Sequence, residues 1–152
     1  MPNIYLKTII DAPQKVCFDL ARSIDLHQIS MSRSNEKAVA GRISGLIQKG
    51  EFVTWEATHF FVKQRLSSRI TEMEEPIYFV DEMISGAFKS IRHKHEFVQS
   101  GSTTLMIDDF SYEVPLGYLG QFFNQIVLKN YLKNLLMERN REIKRKAESS
   151  SS

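Results

Sequence analysis

Residues 119–143, LGQFFNQIVLKNYLKNLLMERNREI, decide how this chain folds. After Gly120 the stretch holds neither Pro nor Gly. Apolar side chains return at three- and four-residue steps: Leu119, Phe122, Phe123 and Ile126, then Leu128, Tyr131, Leu132, Leu135, Leu136 and Ile143. That spacing predicts a long amphipathic C-terminal helix. At about 100° per residue the stripe divides in two. Leu119, Phe122, Phe123 and Ile126 share one side, while Leu128, Leu132, Leu135, Leu136 and Ile143 lie nearly opposite. The changeover near Val127 suggests a lid segment, Gly117 to Val127, joined by a bend to a brace that packs on a sheet. An unbent helix buried on both faces, one of them against a second subunit, is the alternative.

The sheet is legible upstream, where two-residue alternation replaces helical spacing. Glu51 to Phe60 sets Val53, Trp55, Ala57 and His59 against Phe52, Thr54, Glu56 and Thr58. Val62 to Met73 sets Gln64, Leu66, Ser68 and Ile70 against a polar face of Lys63, Arg65, Ser67, Arg69 and Thr71. The polar set marks the solvent side, so the first set points inward. Past the Glu74-Glu75-Pro76 turn, Ile77 to Ser85 places Ile77, Phe79, Asp81 and Met83 on one face. Ser90 to Gln99 carries Ile91, His93, His95 and Phe97 inward. After the Ser100-Gly101-Ser102 turn, Thr103 to Val114 adds Met106, Asp108, Phe110, Tyr112 and Val114. Short turns between consecutive strands mean an antiparallel meander.

Nearer the N-terminus, Asn3 to Ile10 reads as a further strand, with Ile4, Leu6 and Thr8 on one face. Pairing it to the edge of the meander makes a sheet of six or seven strands. Pro13 fits a first helical turn, and Val16, Cys17, Leu20 and Ala21 follow at helical spacing. Ile24 to Ser30 reads as a second short helix. Ser30 to Gly50 is irregular, with a short strand at Lys37 to Arg42, and reads as a gate over a cavity or as a plain surface connection.

Composition bounds the class. At 152 residues, 42% apolar and 25% charged, the chain is one α+β domain, residues 1–148, with a disordered tail at 149–152. The net charge of +2 concentrates in Arg139 to Lys146, which reads as a solvated helix end rather than a nucleic-acid surface. Cys17 is the only cysteine, which excludes an intrachain disulfide and a cysteine-based metal site. No apolar run spans a bilayer and no signal pattern opens the chain, so the expected location is cytoplasmic.

The order strand, two short helices, antiparallel meander, long helix resembles the helix-grip fold of the START and pollen-allergen superfamily. Ala38 to Gly41, Gly50 to Phe60, Phe79 to Met83, Phe88 to His95 and Tyr112 to Gly117 look like its bacterial polyketide cyclase, dehydrase and lipid-transport branch. The resemblance implies a ligand cavity between sheet and C-terminal helix, occupied by a small hydrophobic molecule, lipid-like, aromatic or polyketide-like. No cofactor is implied, and the oligomeric state, monomer or dimer, stays open.

The inward residues are the candidate lining: Trp55, Leu66, Ile70, Phe79, Met83, Phe97, Met106, Phe110 and Tyr112, with Phe122 and Phe123 from the lid. Among them sit His59, Gln64, Asp81, His93, His95 and Asp108. So many inward polar groups need partners or water. They suit a structural His–Asp network, orientation of a ligand, or acid–base catalysis by His93 and His95 with Asp81 and Asp108. His59, His93 and His95 together would match a zinc triad, but no flanking motif supports a metal. Binding without catalysis is the leading expectation, a cyclase or dehydratase the alternative. A third reading docks exposed Phe60, Phe61 and Phe88 on a protein or membrane.

Overall fold

The structure, a computed structural model, describes residues 2–31, 34–59, 61–115 and 125–150. The chain opens with β1 (Asn3–Ile10), then α1 (Gln14–Ala21) and α2 (Ile24–Ser30). Strands β2 (Lys37–Gly41), β3 (Phe52–His59), β4 (Val62–Glu74), β5 (Tyr78–Ser85), β6 (Ser90–Ser100) and β7 (Thr103–Glu113) follow, and α3 (Gln125–Ser150) closes the chain. The seven strands form one sheet in the order β1-β7-β6-β5-β4-β3-β2. Every pairing is antiparallel. This is the α+β helix-grip architecture, with two short helices after the first strand and a curved sheet facing a long C-terminal helix.

Local chemistry sets the boundaries. Pro13 caps α1 in extended conformation, and the Ser23 hydroxyl accepts the Leu26 N–H to start α2. Gly41 ends β2 at φ +74°, where an added Cβ would stand 2.2 Å from the Phe52 carbonyl oxygen, so only glycine fits. Register shifts between Ser67 and Ser68, and between Ile70 and Glu72, interrupt the β4–β5 ladder. Such bulges bend the long strand, and the bend lets the sheet wrap a hollow.

Burial follows the alternation. On β6 Ile91, His93, His95 and Phe97 are all buried, and β7 buries Thr104, Met106, Asp108, Phe110 and Tyr112. Two apolar clusters result. One gathers Phe18 and Cys17 of α1, Phe79, Phe97, Met106, Trp55, and Ile143 and Ala147 of α3. Phe18 meets Phe79 and Phe97 edge to face, each at 5.5 Å. The other joins Ile91, Phe110 and Tyr112 to Leu128, Leu132 and Leu136 of α3.

The long helix has two jobs along its length. From Arg139 onward it is pressed into the core, with Ile143 and Ala147 fully buried, and it continues through Ser150, past the boundary expected at 148. Its first turns leave Ile126 and Val127 exposed. Leu119, Phe122, Phe123 and most of the expected lid, 117–127, lie outside the described residues, and so does Phe60. The segment before β3, expected as gate or connection, is tied down at the α1–α2 junction. The Ile47 N–H donates to the Arg22 carbonyl, the Ile24 N–H donates to the Gly45 carbonyl, and Ile47 is buried. Among the described residues no helix is long and apolar enough to cross a membrane.

Candidate functional site

A cavity of about 580 Å³ lies between the inner face of β3–β7 and the first half of α3. The α1–α2 junction closes one end with Arg22, Ile24 and His27. Most of the wall is apolar: Val53, Trp55, Leu66, Ile70, Phe79, Ile91 and Phe110 from the sheet, and Leu128, Leu132, Leu135 and Leu136 from the helix. The volume is of the size that holds a small organic ligand.

Strand register builds a charged cluster into this wall. β5 sets Asp81 opposite His93, and β7 sets Asp108 opposite His95. Each histidine bonds diagonally: His93 Nε2 meets Asp108 Oδ1 at 2.7 Å, and His95 Nε2 meets Asp81 Oδ2 at 2.6 Å. The two imidazoles stack at 3.6 Å. Arg139 enters from α3, its Nη2 donating to His95 Nδ1 at 3.1 Å and its Nη1 lying 3.4 Å from Asp108 Oδ1. Asn140 donates to the other Asp108 oxygen at 2.7 Å.

These contacts fix protons. A guanidinium only donates, so His95 Nδ1 accepts and its proton sits on Nε2, donating to Asp81. Burial, the neighbouring His93 and the Arg139 charge push the His95 pKa from 6.5 down to about 3, against the pull of Asp81. Burial would raise the Asp81 and Asp108 carboxyls. The hydrogen bonds from His95 and His93, with the Arg139 charge, outweigh it and hold both below the ordinary carboxylate range.

A second polar group lines the same cavity. His27 stacks on Trp55 at 4.2 Å and meets Glu36 through Nε2 at 2.9 Å. The Ser34 hydroxyl donates to the other Glu36 oxygen at 3.1 Å. Burial opposes ionisation of Glu36, but His27 wins and its pKa falls. His59 Nδ1 meets the Tyr131 hydroxyl at 2.6 Å, joining β3 to α3, and burial lowers the His59 pKa.

The structure divides the candidates read from sequence. Trp55, His59, Leu66, Phe79, Asp81, His93, His95 and Phe110 line the cavity. Phe97, Met106 and Tyr112, expected as lining, are instead packed core. α1 and the second half of α3 cover Phe97 and Met106, and Phe88 meets Tyr112 edge to face at 5.8 Å. Met83 packs against the second cluster beside them. Asp108 is fully buried behind His93. Phe88, expected on the surface as a docking residue, lines the cavity, whereas Phe61 is fully exposed.

The triad of His59, His93 and His95 does not assemble: His59 is not among the groups that converge there, and its Nδ1 bonds to Tyr131. Asp81, His93 and His95 do bring one donor atom each within 4.8 Å of one another. Both His95 nitrogens are already committed, and the Arg139 guanidinium beside them opposes a cation.

Sequence spacing does not single out Arg139, Asn140, His27 or Glu36, and it gives Tyr131 only as a member of the helical stripe. Arg139 looked like part of a solvated basic run, yet it is 5% exposed. Its signal was positional: it falls three residues after Leu136 and four before Ile143, inside the apolar stripe.

No family model matches the chain, and no curated protein matches it in sequence. Solved structures match its shape. A START superfamily protein from Mycobacterium smegmatis superposes with TM-score 0.74 at 11% identity, over 97% of each chain. Ginseng major latex-like protein 151 from Panax ginseng gives 0.69 at 18% identity, over 96% of this chain and 97% of that one. The di-domain ARO/CYC StfQ of the steffimycin biosynthetic pathway gives 0.80 at 10% identity, over 98% of this chain and 51% of that one. At these identities the likeness establishes the fold alone: the chain has the helix-grip fold.

Two stability measurements test the cluster. Replacing Arg139 by Met strands a buried carboxylate and should cost about 3–5 kcal/mol in urea unfolding, whereas exposed Arg141→Met should change stability by no more than about 0.5 kcal/mol. A loss below about 1 kcal/mol for Arg139→Met would contradict the pairing. The pH dependence has a fixed sign. Between 6.5 and about 3 the unfolded chain takes up a proton at His95 that the folded chain refuses, so stability falls as pH drops through that window. Stability at about pH 5 should lie below that at about pH 7, by up to about 2 kcal/mol from this group. The His95→Gln variant should shrink that difference; an unchanged difference would show that His95 is not its source.

Proposed function

We propose that this protein is a single-domain binder of a small, mainly apolar molecule held between the sheet and α3. The observation that carries the reading is the cavity of about 580 Å³, apolar over most of its wall with a few fixed polar groups. That combination of concavity, apolar surface and convergent polar groups is what small-molecule sites need. The neighbours in shape add support of a general kind, since one is a START superfamily protein and another an ARO/CYC protein.

Trp55, the only tryptophan, lines the cavity and reports on it. Phenylnaphthylamine, a neutral apolar dye, should quench Trp55 emission saturably, with one site per chain. Leu132→Trp fills the space from the helix side and should weaken dye binding by at least about tenfold. Quenching that never saturates, or that Leu132→Trp leaves intact, would exclude the cavity as the binding site.

One observation favours a second reading, acid–base chemistry in the same cavity. His93 is anchored to Asp108 through Nε2, and its Nδ1 has no hydrogen-bond partner among the described residues. A histidine so held presents a basic nitrogen. In a cyclase or dehydratase His93→Gln should abolish turnover of a poly-β-ketone and spare dye binding. Turnover that survives His93→Gln would remove His93 from any catalytic role.

A further inference from the structure

The charges on the cavity wall restrict what its ligand can carry. Among the described residues three cations line it, and each is committed to a carboxylate. Arg22 reaches Asp19 and Glu75, each at 2.8 Å. Arg65 reaches Glu56 at 3.0 Å. Arg139 pairs with Asp108 at 3.4 Å and spends three further N–H donors on His95, Asn140 and the Ala21 carbonyl.

The anions on the wall differ. Glu36 is held from two sides, by His27 and Ser34. Asp81 receives one hydrogen bond among the described residues, from His95. A carboxylate offers about four acceptor positions. The Asp81 side chain is 25% accessible, and it lines the cavity. Arg139 holds the proton of His95 on Nε2, so the one bond to Asp81 is fixed and the remaining lone pairs are left for a guest. Around this point two carboxylates, Asp81 and Asp108, face one guanidinium.

An anionic ligand group placed here would lie in an apolar wall, beside a carboxylate, with no uncommitted cation among the described residues to receive it. Such an arrangement is strongly unfavourable. A primary ammonium would suit the charge, but it brings three donors to a place whose open acceptors are Asp81 and His93 Nδ1, and it forfeits its hydration. A hydroxyl brings one donor, loses little water, and makes a hydrogen bond strengthened by the charge on its acceptor.

We infer that the ligand is an apolar alcohol or phenol whose hydroxyl donates to Asp81, which makes Asp81 the residue that sets ligand class. This rests on the cavity being a binding site at all.

A series of isosteric fluorophores separates the two ideas: pyrene, hydroxypyrene, pyrene carboxylate and pyrenemethylamine, titrated by fluorescence anisotropy at neutral pH. Hydroxypyrene should bind about tenfold tighter than pyrene, and tighter still than the carboxylate. Asp81→Asn keeps the shape and removes the charge. It should bring hydroxypyrene and the carboxylate to within about threefold of each other and leave pyrene unchanged. Pyrene binding also reports that the variant cavity is intact; should the variant lose it, the wild-type series still decides. Carboxylate or amine binding as tight as hydroxypyrene overturns the inference while sparing the cavity reading. A cavity that takes up none of the four overturns both.

Discussion

A fully buried carboxylate organises this protein. Asp108 sits in the middle of β7 with no solvent access, and an unpaired charge there would cost more than the fold can supply. Its two oxygens are met by His93 from the neighbouring strand and by Asn140 and Arg139 from the C-terminal helix. One ionised group therefore specifies the register of β6 on β7 and the rotation of α3 over both. It also recruits Arg139, which in turn fixes the tautomer of His95 and through it the hydrogen bond to Asp81. The chain of contacts runs from a structural core residue to a group on the cavity wall without a break.

That chain explains how the fold can be hollow on one side of the cluster and solid on the other. Beyond Arg139 the helix is packed down by Ile143 and Ala147 against α1 and the inner face of the sheet. Before Arg139 it stands over open space, and its Leu128, Leu132, Leu135 and Leu136 face the cavity. The bulges in β4 curve the sheet away from the helix at this end, and the His59–Tyr131 hydrogen bond spans the gap. The cavity is thus held open between one charged clamp and one aromatic tie.

Reading the strands by alternation placed His93, His95, Asp81 and Asp108 on the same face, because a β-strand sends successive side chains to opposite sides whatever its surroundings. Trp55, Leu66, Phe79 and Phe110 were legible as inward for the same reason. Phe97, Met106 and Tyr112 share that parity but became core instead of cavity wall. Parity says which face a residue is on and not what comes to cover it; α1 and α3 cover Phe97 and Met106, and Phe88 covers Tyr112. Arg139 misled in the opposite direction, since neighbours such as Arg141 and Arg145 are solvated and composition alone cannot separate one buried guanidinium from a basic run.

Local physics in the sequence therefore determined the elements and their faces: six stretches of two-residue period with a short strand at Lys37 to Arg42, two short helices, and a long helix without Pro or Gly after Gly120. These depend on backbone geometry and on the spacing of apolar residues, both of which are written in adjacent positions. Tertiary structure alone decided which inward residues enclose a void, which carboxylate is buried, and that Arg139 should serve it. Those outcomes turn on distances between strands and helix far apart in sequence, such as the 3.1 Å from Arg139 to His95, where electrostatics in a desolvated setting outweighs any local preference.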